Sequence, residues 1–348
     1  MNQAMTQPAS SALCGGCGTE VAAGLLACPV CHKLVHGAEL ARLASEAREA
    51  EERGDFTAAL GTWRKTLELL PQGTAQRTTI DAQMKRLSAM LDGRAPKPQP
   101  KNTGRKAGAV ATTGAVGAAL LKSKAILVAV LANGKFLLLG LLKLPTLLSM
   151  IVYANLTGGR GIGLSIGIVA AIYVHEVGHV ATLRRYGIDA SAPMFIPGFG
   201  ALVRLRQYPT DAHEEARTGL AGPLWVLFAS GVALAIGAAI HSQLMLTIAS
   251  WSGTINIFNL TPVWQLDGAR GLKALSKTQR ILVGAIAIAV ALLTSQPMPG
   301  IVGVLVLGRA FVGASHPEGD RGMLTLFASL VVVLPAVVWM ANLLRVGL

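Results

Sequence analysis

Ile162-Gly-Leu-Ser-Ile-Gly-Ile-Val-Ala-Ala-Ile-Tyr-Val-His-Glu-Val-Gly-His-Val-Ala-Thr-Leu183 is an apolar run with two histidines and a glutamate in its second half. Its length suits a membrane helix, which needs about 20 apolar residues to cross the hydrocarbon core. On a helix, His175 and His179 lie one turn apart on the same face, so both imidazoles can bind one metal ion. Ionisable residues in a membrane helix are costly unless they pair or bind something. The run therefore predicts a metal site; the alternative is a group of polar residues that satisfy one another inside a bundle.

The composition of the chain indicates a membrane protein with a soluble N-terminal part. Mean hydropathy is +0.52 over 348 residues, and 14% of the residues are charged, whereas soluble domains average about 25%. Residues 1–106 hold 14 Lys/Arg and 10 Asp/Glu, and residues 107–348 hold 17 and 8 over more than twice the length. We therefore expect the first third to be soluble and the remainder to lie in the lipid bilayer.

The basic residues predict the orientation. Most of the net charge of +13 lies beside apolar runs, which favours contact with anionic headgroups over nucleic acid, so no nucleic-acid partner is expected. The clusters at 184–185, 204–206 and 270–280 belong in the cytoplasm by the positive-inside rule. Residues 1–13 lack the pattern of a secretory signal. The prediction is an integral protein of the cytoplasmic membrane, with a cytoplasmic N-terminus and the metal site near the cytoplasmic face.

The uncharged runs predict an all-α polytopic membrane protein with about six or seven transmembrane helices. Prolines interrupt the last three runs, and 107–121 is too short for a span. The candidate spans are 136–155, 162–183, 218–240, 243–265, 281–296, 299–314 and 322–344.

A third metal ligand is expected from a carboxylate, because hydrolytic zinc sites usually have three protein ligands and one position for water. Residues 107–348 contain eight carboxylates. The charged stretch 213–215 is typical of a solvated loop, whereas Asp267 comes at the end of an apolar run. That run returns to the membrane face of His179, so Asp267 is the predicted ligand. The alternative for Asp267 is a helix-terminal residue in a turn.

Two motifs together resemble the site-2 protease family of intramembrane zinc metallopeptidases. One is His175-Glu176-Val-Gly-His179, and the other is Asn259-Leu-Thr-Pro-Val-Trp-Gln-Leu-Asp267-Gly. The resemblance covers roughly residues 136–285. It implies that His175, His179 and Asp267 hold a catalytic zinc, that Glu176 is the general base, and that Asn259 positions the substrate or stabilises the oxyanion. It also implies a membrane-protein substrate, cut in or near a transmembrane segment.

One motif departs from that family. Many members carry Gly-Pro-x-x-Asn, and this chain has Gly222-Pro-Leu-Trp-Val226 in its place. The substitution leaves the predicted zinc ligands unchanged but removes an amide that would help to hold substrate. It leaves open a second hypothesis, a catalytically weak or inactive membrane scaffold that recruits partners through its N-terminal part. A transporter is disfavoured, since no internal repeat is visible.

The segment 192–206 lies between these motifs and is rich in Gly and Pro, which exclude a regular helix. Alternation over 199–205 predicts a short strand. The family resemblance suggests a re-entrant β hairpin whose edge could pair with an unwound substrate strand. The alternative is an interfacial loop.

All four cysteines lie near the N-terminus, in Cys14-Gly-Gly-Cys17 and Cys28-Pro-Val-Cys31. Two such pairs can place four sulfurs around one ion, and the bound metal supplies stability that a small core cannot. Residues 1–37 are therefore predicted to be a zinc ribbon with a structural zinc, in addition to the catalytic one. The alternatives are two disulfides or four free thiols.

Residues 38–92 are predicted to be helical from apolar spacing of three and four residues. Gly54, Ala59, Trp63 and Pro71 stand where a tetratricopeptide repeat has Gly, Ala, an aromatic and Pro. The segment is either a partner-binding repeat or a generic helical hairpin. A basic, Pro-rich linker at 93–106 then precedes the membrane-embedded metalloprotease domain predicted for 107–348.

Overall fold

The structure is a computed structural model that describes residues 12–22, 24–94, 161–191, 193–196, 200–202 and 207–347, with the single residues 148 and 151. It separates into two compact units. The first comprises Met1–Lys97, Leu183–Ala190 and Leu205–Glu214, and the second comprises Pro98–Thr182, Ser191–Arg204 and Glu215–Leu348.

The first unit begins with an antiparallel pair of short strands, followed by three helices. The strands are β1 (Ala12–Leu13) and β2 (Glu20–Val21). The helices are α1 (Gly37–Glu52), α2 (Phe56–Glu68) and α3 (Ala75–Leu91).

Two of these helices have an N-terminus that is capped by a side chain. Asp55 accepts a hydrogen bond from the Ala58 amide at the start of α2, and Thr74 accepts one from the Arg77 amide at the start of α3. Such caps satisfy amides that have no partner within the helix. Helix α2 packs against α1 and against α3. The buried apolar side chains of these helices include Leu43, Ala47, Leu60, Trp63, Met84 and Leu87. The predicted helical nature of this segment is confirmed.

Chain segments far along the sequence complete the first unit. The stretch 213–215, which the sequence predicted to be a solvated loop, lies inside a helix, so that prediction is wrong. Glu214 is fully buried and pairs with Arg64, and Glu215 pairs with Lys273 within the second unit at 2.6 Å. The charge pattern was misleading because the cation that pairs with Glu214 lies 150 residues away.

The second unit is a bundle of helices with one hairpin. In chain order the elements are α4 (Ile162–Arg185), β3 (Met194–Ile196), β4 (Gly200–Leu202), α5 (Ala212–Ala239), α6 (Gln243–Asn259), α7 (Asp267–Gly271), a 3-10 turn (Leu272–Ala274), α8 (Lys277–Thr294), α9 (Pro297–Phe311) and α10 (Arg321–Val346). The last three residues of α4 and the first three of α5 belong to the first unit.

Four of the described helices are long and apolar enough to cross a membrane: α4, α5, α8 and α10. Helices α6 and α9 are shorter, with 17 and 15 residues. The predicted span 136–155 lies outside the described residues, apart from 148 and 151. The fold class predicted from the sequence, a helical polytopic membrane protein, is confirmed.

The core of this unit lies between α5, α6, α8, α9 and α10, and its buried residues include Leu220, Ile257, Val283, Val306, Phe327 and Leu334. Helix α4 joins the bundle through small residues. A Cβ at Gly163 would lie 3.1 Å from Leu244 Cδ2, and one at Gly167 would lie 2.5 Å from Ile248 Cγ1. Glycines of this kind let membrane helices approach closely, so α4 lies against α6.

The end of α6 differs from the prediction. The run 243–265 was expected to be one helix that ends near Asp267, but α6 ends at Asn259 and Asp267 is the first residue of α7. Pro262 explains the break, because proline has no amide hydrogen and disfavours helical conformation in the residue before it. Asp267 is therefore carried by a separate short helix.

Strands β3 and β4 form an antiparallel hairpin, with Met194 opposite Leu202 and Ile196 opposite Gly200. The sequence predicted either a hairpin or an interfacial loop in this segment, and a hairpin is observed.

Candidate metal centre

Helix α4 brings two imidazoles together. His175 and His179 are one helical turn apart, both are buried, and their Nε2 atoms are 2.9 Å from each other. The two rings meet edge to face, with centroids 4.7 Å apart. The i, i+4 spacing on an apolar helix therefore places two nitrogen ligands at one point, as the sequence predicts.

Asp267 closes the group from the start of α7. Its Oδ2 lies 2.9 Å from His175 Nε2, and its Oδ1 lies 3.2 Å from His179 Nε2. The carboxylate is buried, and one ligand atom from each of the three residues lies within 4.8 Å of the others. The three side chains could hold one metal ion.

The other nitrogen of each imidazole is held by a carbonyl oxygen. His175 Nδ1 donates to Asn256 Oδ1 at 2.7 Å, and His179 Nδ1 donates to the Thr218 carbonyl at 2.7 Å. Because these oxygens can only accept, each Nδ1 carries the proton, and each Nε2 presents its lone pair to the shared space. Partners of this kind fix the tautomer and ring orientation of metal-binding histidines.

Asn256 was not predicted from the sequence. Its Nδ2 donates to the Ser252 carbonyl at 2.9 Å, which turns its Oδ1 towards His175. An amide inside an apolar helix is itself a signal of a polar contact. Asn259, one turn further along, was instead named from the motif resemblance, as a residue that positions substrate or stabilises the oxyanion.

A glycine on α5 leaves room for a ligand between the imidazoles. A Cβ at Gly222 would lie 2.5 Å from His179 Nε2 and 2.6 Å from His175 Nε2. Any side chain at this position would fill the space that both lone pairs face. Two imidazole nitrogens and a carboxylate are a donor set that zinc accepts, with a fourth position left for water. The residues present therefore fit a zinc ion.

The two other predicted site residues lie on α4 and on α6. Glu176 is half-buried on α4, directly after His175, and Asn259 is the half-buried last residue of α6. Val226, which replaces the amide of the family motif, is fully buried on α5 one turn after Gly222.

The four cysteines form a second group in the first unit. Cys14 Sγ lies 3.6 Å from Cys31 Sγ, and Cys17 Sγ lies 3.6 Å from Cys28 Sγ. None of the four is in a disulfide, which requires about 2.05 Å between the sulfurs, so all four sulfurs are available to bind a metal ion. A hydrogen bond from the Thr19 hydroxyl lowers the pKa of Cys17 to about 6, which favours the metal-binding thiolate.

Among the described residues, the four cysteines and the His175, His179 and Asp267 group are the two clusters able to hold a metal ion.

Part of the chain is similar to a known protein. No protein-family model matches the chain. A stretch of 118 residues is 29% identical to a zinc metalloprotease of Methanocaldococcus jannaschii, covering 32% of this chain and 34% of that protein. The chain thus matches about a third of the length of this relative.

Proposed function

We propose that this protein is an intramembrane zinc endopeptidase that hydrolyses peptide bonds in or near the transmembrane segments of other membrane proteins. The observation that carries the proposal is the convergence of His175, His179 and Asp267 on one point at the end of an apolar, membrane-capable helix. The similarity of part of the chain to a zinc metalloprotease supports the reaction class.

In this proposal His175, His179 and Asp267 hold the catalytic zinc. When bound, the ion supplies Lewis acidity that polarises the scissile carbonyl and makes a water molecule more acidic. Glu176 accepts the proton of the attacking water on its carboxylate and delivers it to the nitrogen of the leaving amine. Asn256 and the Thr218 carbonyl keep both imidazoles in the tautomer that this site requires.

Substrate is proposed to bind as an extended strand. The hairpin of β3 and β4 lies in the chain between the helix of the two histidines and α5, which carries Gly222. A locally unwound substrate segment could add to an edge of this hairpin through main-chain hydrogen bonds. Asn259 would then contact the substrate or the developing oxyanion.

The proposed orientation has the N-terminus in the cytoplasm and the metal centre near the cytoplasmic face of the cytoplasmic membrane. The basic pair Arg184 and Arg185 in the last turn of α4 supports it. The four cysteines are proposed to hold a second, structural zinc, and the helical segment 38–92 is proposed to contact a protein partner.

The test separates metal binding from chemistry. We expect Glu176→Gln to keep its zinc and lose cleavage of co-expressed, tagged single-span membrane proteins, because only the proton acceptor is removed. His179→Ala should lose both the zinc and the cleavage. Glu318→Gln, at an exposed carboxylate, is the matched control and should cleave normally. Full cleavage by Glu176→Gln would refute the assigned role.

A membrane scaffold without protease activity is the second candidate. The buried Val226 in place of an amide favours it. A scaffold predicts that Glu176→Gln has no phenotype in cells, whereas deletion of residues 1–92 has one.

A further inference from the structure

One arginine of the N-terminal helices binds the two chain segments that lie on either side of the hairpin. Arg64 on α2 is 3% exposed, and its guanidinium makes three hydrogen bonds within the first unit. It donates to the Tyr186 carbonyl at 3.0 Å, to the Tyr208 carbonyl at 3.0 Å and to Glu214 Oε2 at 2.9 Å. Tyr186 directly follows α4, and Glu214 lies in the first turn of α5. A single side chain therefore joins the end of α4 to the beginning of α5.

The ion pair between Arg64 and Glu214 is buried on both sides, with 3% and 0% of the side chains exposed. Charges removed from water are tolerated only when they are paired and well supplied with hydrogen bonds. Glu214 Oε2 also accepts from the Thr210 amide at 2.9 Å and from the Thr210 hydroxyl at 3.0 Å. The pair therefore differs from an ion pair at the surface, which contributes little to the stability of a protein.

The end of α3 makes a second set of contacts to the same segments. Asp92 accepts from the Tyr186 hydroxyl at 2.6 Å and from Arg185 Nη2 at 3.2 Å, and it lies 3.1 Å from His213 Nε2. Arg185 also donates to the Leu91 carbonyl at 2.8 Å. Asp92 therefore contacts both the end of α4 and the beginning of α5, as Arg64 does.

Two glycines let the backbones touch between these groups. Gly187 has φ +67°, and a Cβ there would clash with the Gly61 amide nitrogen and lie 2.8 Å from the Thr57 carbonyl oxygen. Glycine is therefore required at 187 both for its left-handed conformation and for the close approach of α2.

The same two helices carry the candidate metal centre. His179 lies on α4 less than two turns before its end, and Thr218, whose carbonyl accepts from His179, lies one turn after Glu214 on α5. We propose that α2 and α3 form an intramolecular brace that holds the ends of α4 and α5, and that Arg64 is thereby a positioning residue for the metal ligands. This inference rests on the proposed function, and it gives the helical segment a role inside the enzyme besides any recruitment of partners.

The experiment compares Arg64→Met with Lys65→Met in the full chain, purified in detergent. Lys65 is the exposed neighbour on the same helix, so its substitution changes the charge but not the brace. Amide hydrogen exchange is measured over 183–190 and 205–214. The protein is then loaded with Co²⁺, whose thiolate charge-transfer bands report the cysteine site and whose visible bands report the histidine site.

We expect Arg64→Met to speed up exchange in both segments and to weaken Co²⁺ binding at the histidine site about tenfold, the usual effect of disturbing the partners of metal ligands. The thiolate bands should not change, and Lys65→Met should resemble the wild type in every measurement. Unchanged exchange would overturn the brace. Faster exchange with unchanged Co²⁺ affinity would show that the contact is local and does not position the site.

A second pair of variants covers the case in which Arg64→Met fails to fold. Gly187→Ala introduces both backbone strain and a clash with α2, whereas Gly54→Ala introduces the strain alone, because Gly54 has φ +75° and no atom near its Cβ position. The brace predicts faster exchange at 205–214 and weaker Co²⁺ binding for Gly187→Ala only. Equal effects of the two variants would overturn it.

Failure of the proposed function would look different. If the wild type binds no Co²⁺ at the histidine site, or if it does not cleave the tagged membrane proteins, the protease proposal fails. The exchange data would still decide whether the brace exists.

Discussion

At the scale of single residues, Gly222 borders the space next to both imidazoles. Its missing side chain leaves a space that both Nε2 atoms face, at 2.5 and 2.6 Å from the Cβ position. The imidazoles are held from behind by Asn256 and Thr218, so they cannot turn away from an intruding methyl group without losing buried hydrogen bonds. Both imidazole rings that border this space are therefore held in place.

We therefore expect Gly222→Ala to fold but to lose the zinc of the histidine site. Gly231→Ala is the matched control, because Gly231 lies on the same helix and no atom is near its Cβ position. Zinc per chain, measured by elemental analysis, should fall for the first variant and stay constant for the second. Full zinc occupancy in Gly222→Ala would contradict the assigned position of the ion.

At the scale of elements, the break between α6 and α7 determines where the carboxylate lies. Had α6 continued through residue 267, Asp267 would sit two turns further along the axis of that helix. Instead the chain turns at Pro262, and α7 restarts with Asp267 in its first turn. Gly268 allows this turn, because a Cβ there would clash with the Leu260 carbonyl and lie 2.9 Å from the Thr261 carbonyl carbon.

Gly268→Ala should therefore displace α7 and with it Asp267. We expect the free energy of unfolding to fall by about 1–3 kcal/mol, the usual cost of overpacking, and the histidine site to bind zinc more weakly. Gly308→Ala on α9, where the Cβ position is open, should change neither quantity by more than the small effect of a surface substitution. Thermal unfolding and zinc titration on the same samples measure both effects, and normal zinc affinity in Gly268→Ala would count against the role of this turn.

At the scale of the whole molecule, the two clusters that could hold a metal ion belong to different units and use different donors. The four thiols lie in the first unit, and the two imidazoles with their carboxylate lie in the second. The first set has four ligands and leaves no position for water, which is typical of structural zinc, and the second has three.

The full chain is expected to bind two zinc ions that can be removed independently. Cys28→Ser should lose only the zinc expected at the four cysteines, and His179→Ala should lose only the zinc expected at the histidine site. Native mass spectrometry of the three proteins counts the ions directly. A wild type with one zinc, lost in only one of the two variants, would show which cluster does not bind.

Local patterns were enough to predict much of this protein. The helix of residues 162–183 and its two histidines follow from hydropathy and from the helical period, both of which depend on neighbours in the chain. Local patterns also predicted the helices of the N-terminal segment, the cluster of four cysteines and the membrane-capable helices. Asp267 was predicted from the few carboxylates of 107–348 and from the membrane face at which its apolar run ends, although the helix break before it was not.

Contacts between distant parts of the chain could not be predicted in this way. The Thr218 carbonyl belongs to the backbone, which is the same for every residue. The type of residue at 218 therefore gives no information about the hydrogen bond to His179. Arg64 and Glu214 each have the sequence signature of an exposed charge, and they are buried only because α2 packs where α5 begins within the first unit. Periodicity describes which face of a helix is apolar, but the atoms that meet across that face are determined by packing in three dimensions. That is why the contact between Asn256 and His175 is visible only in the structure.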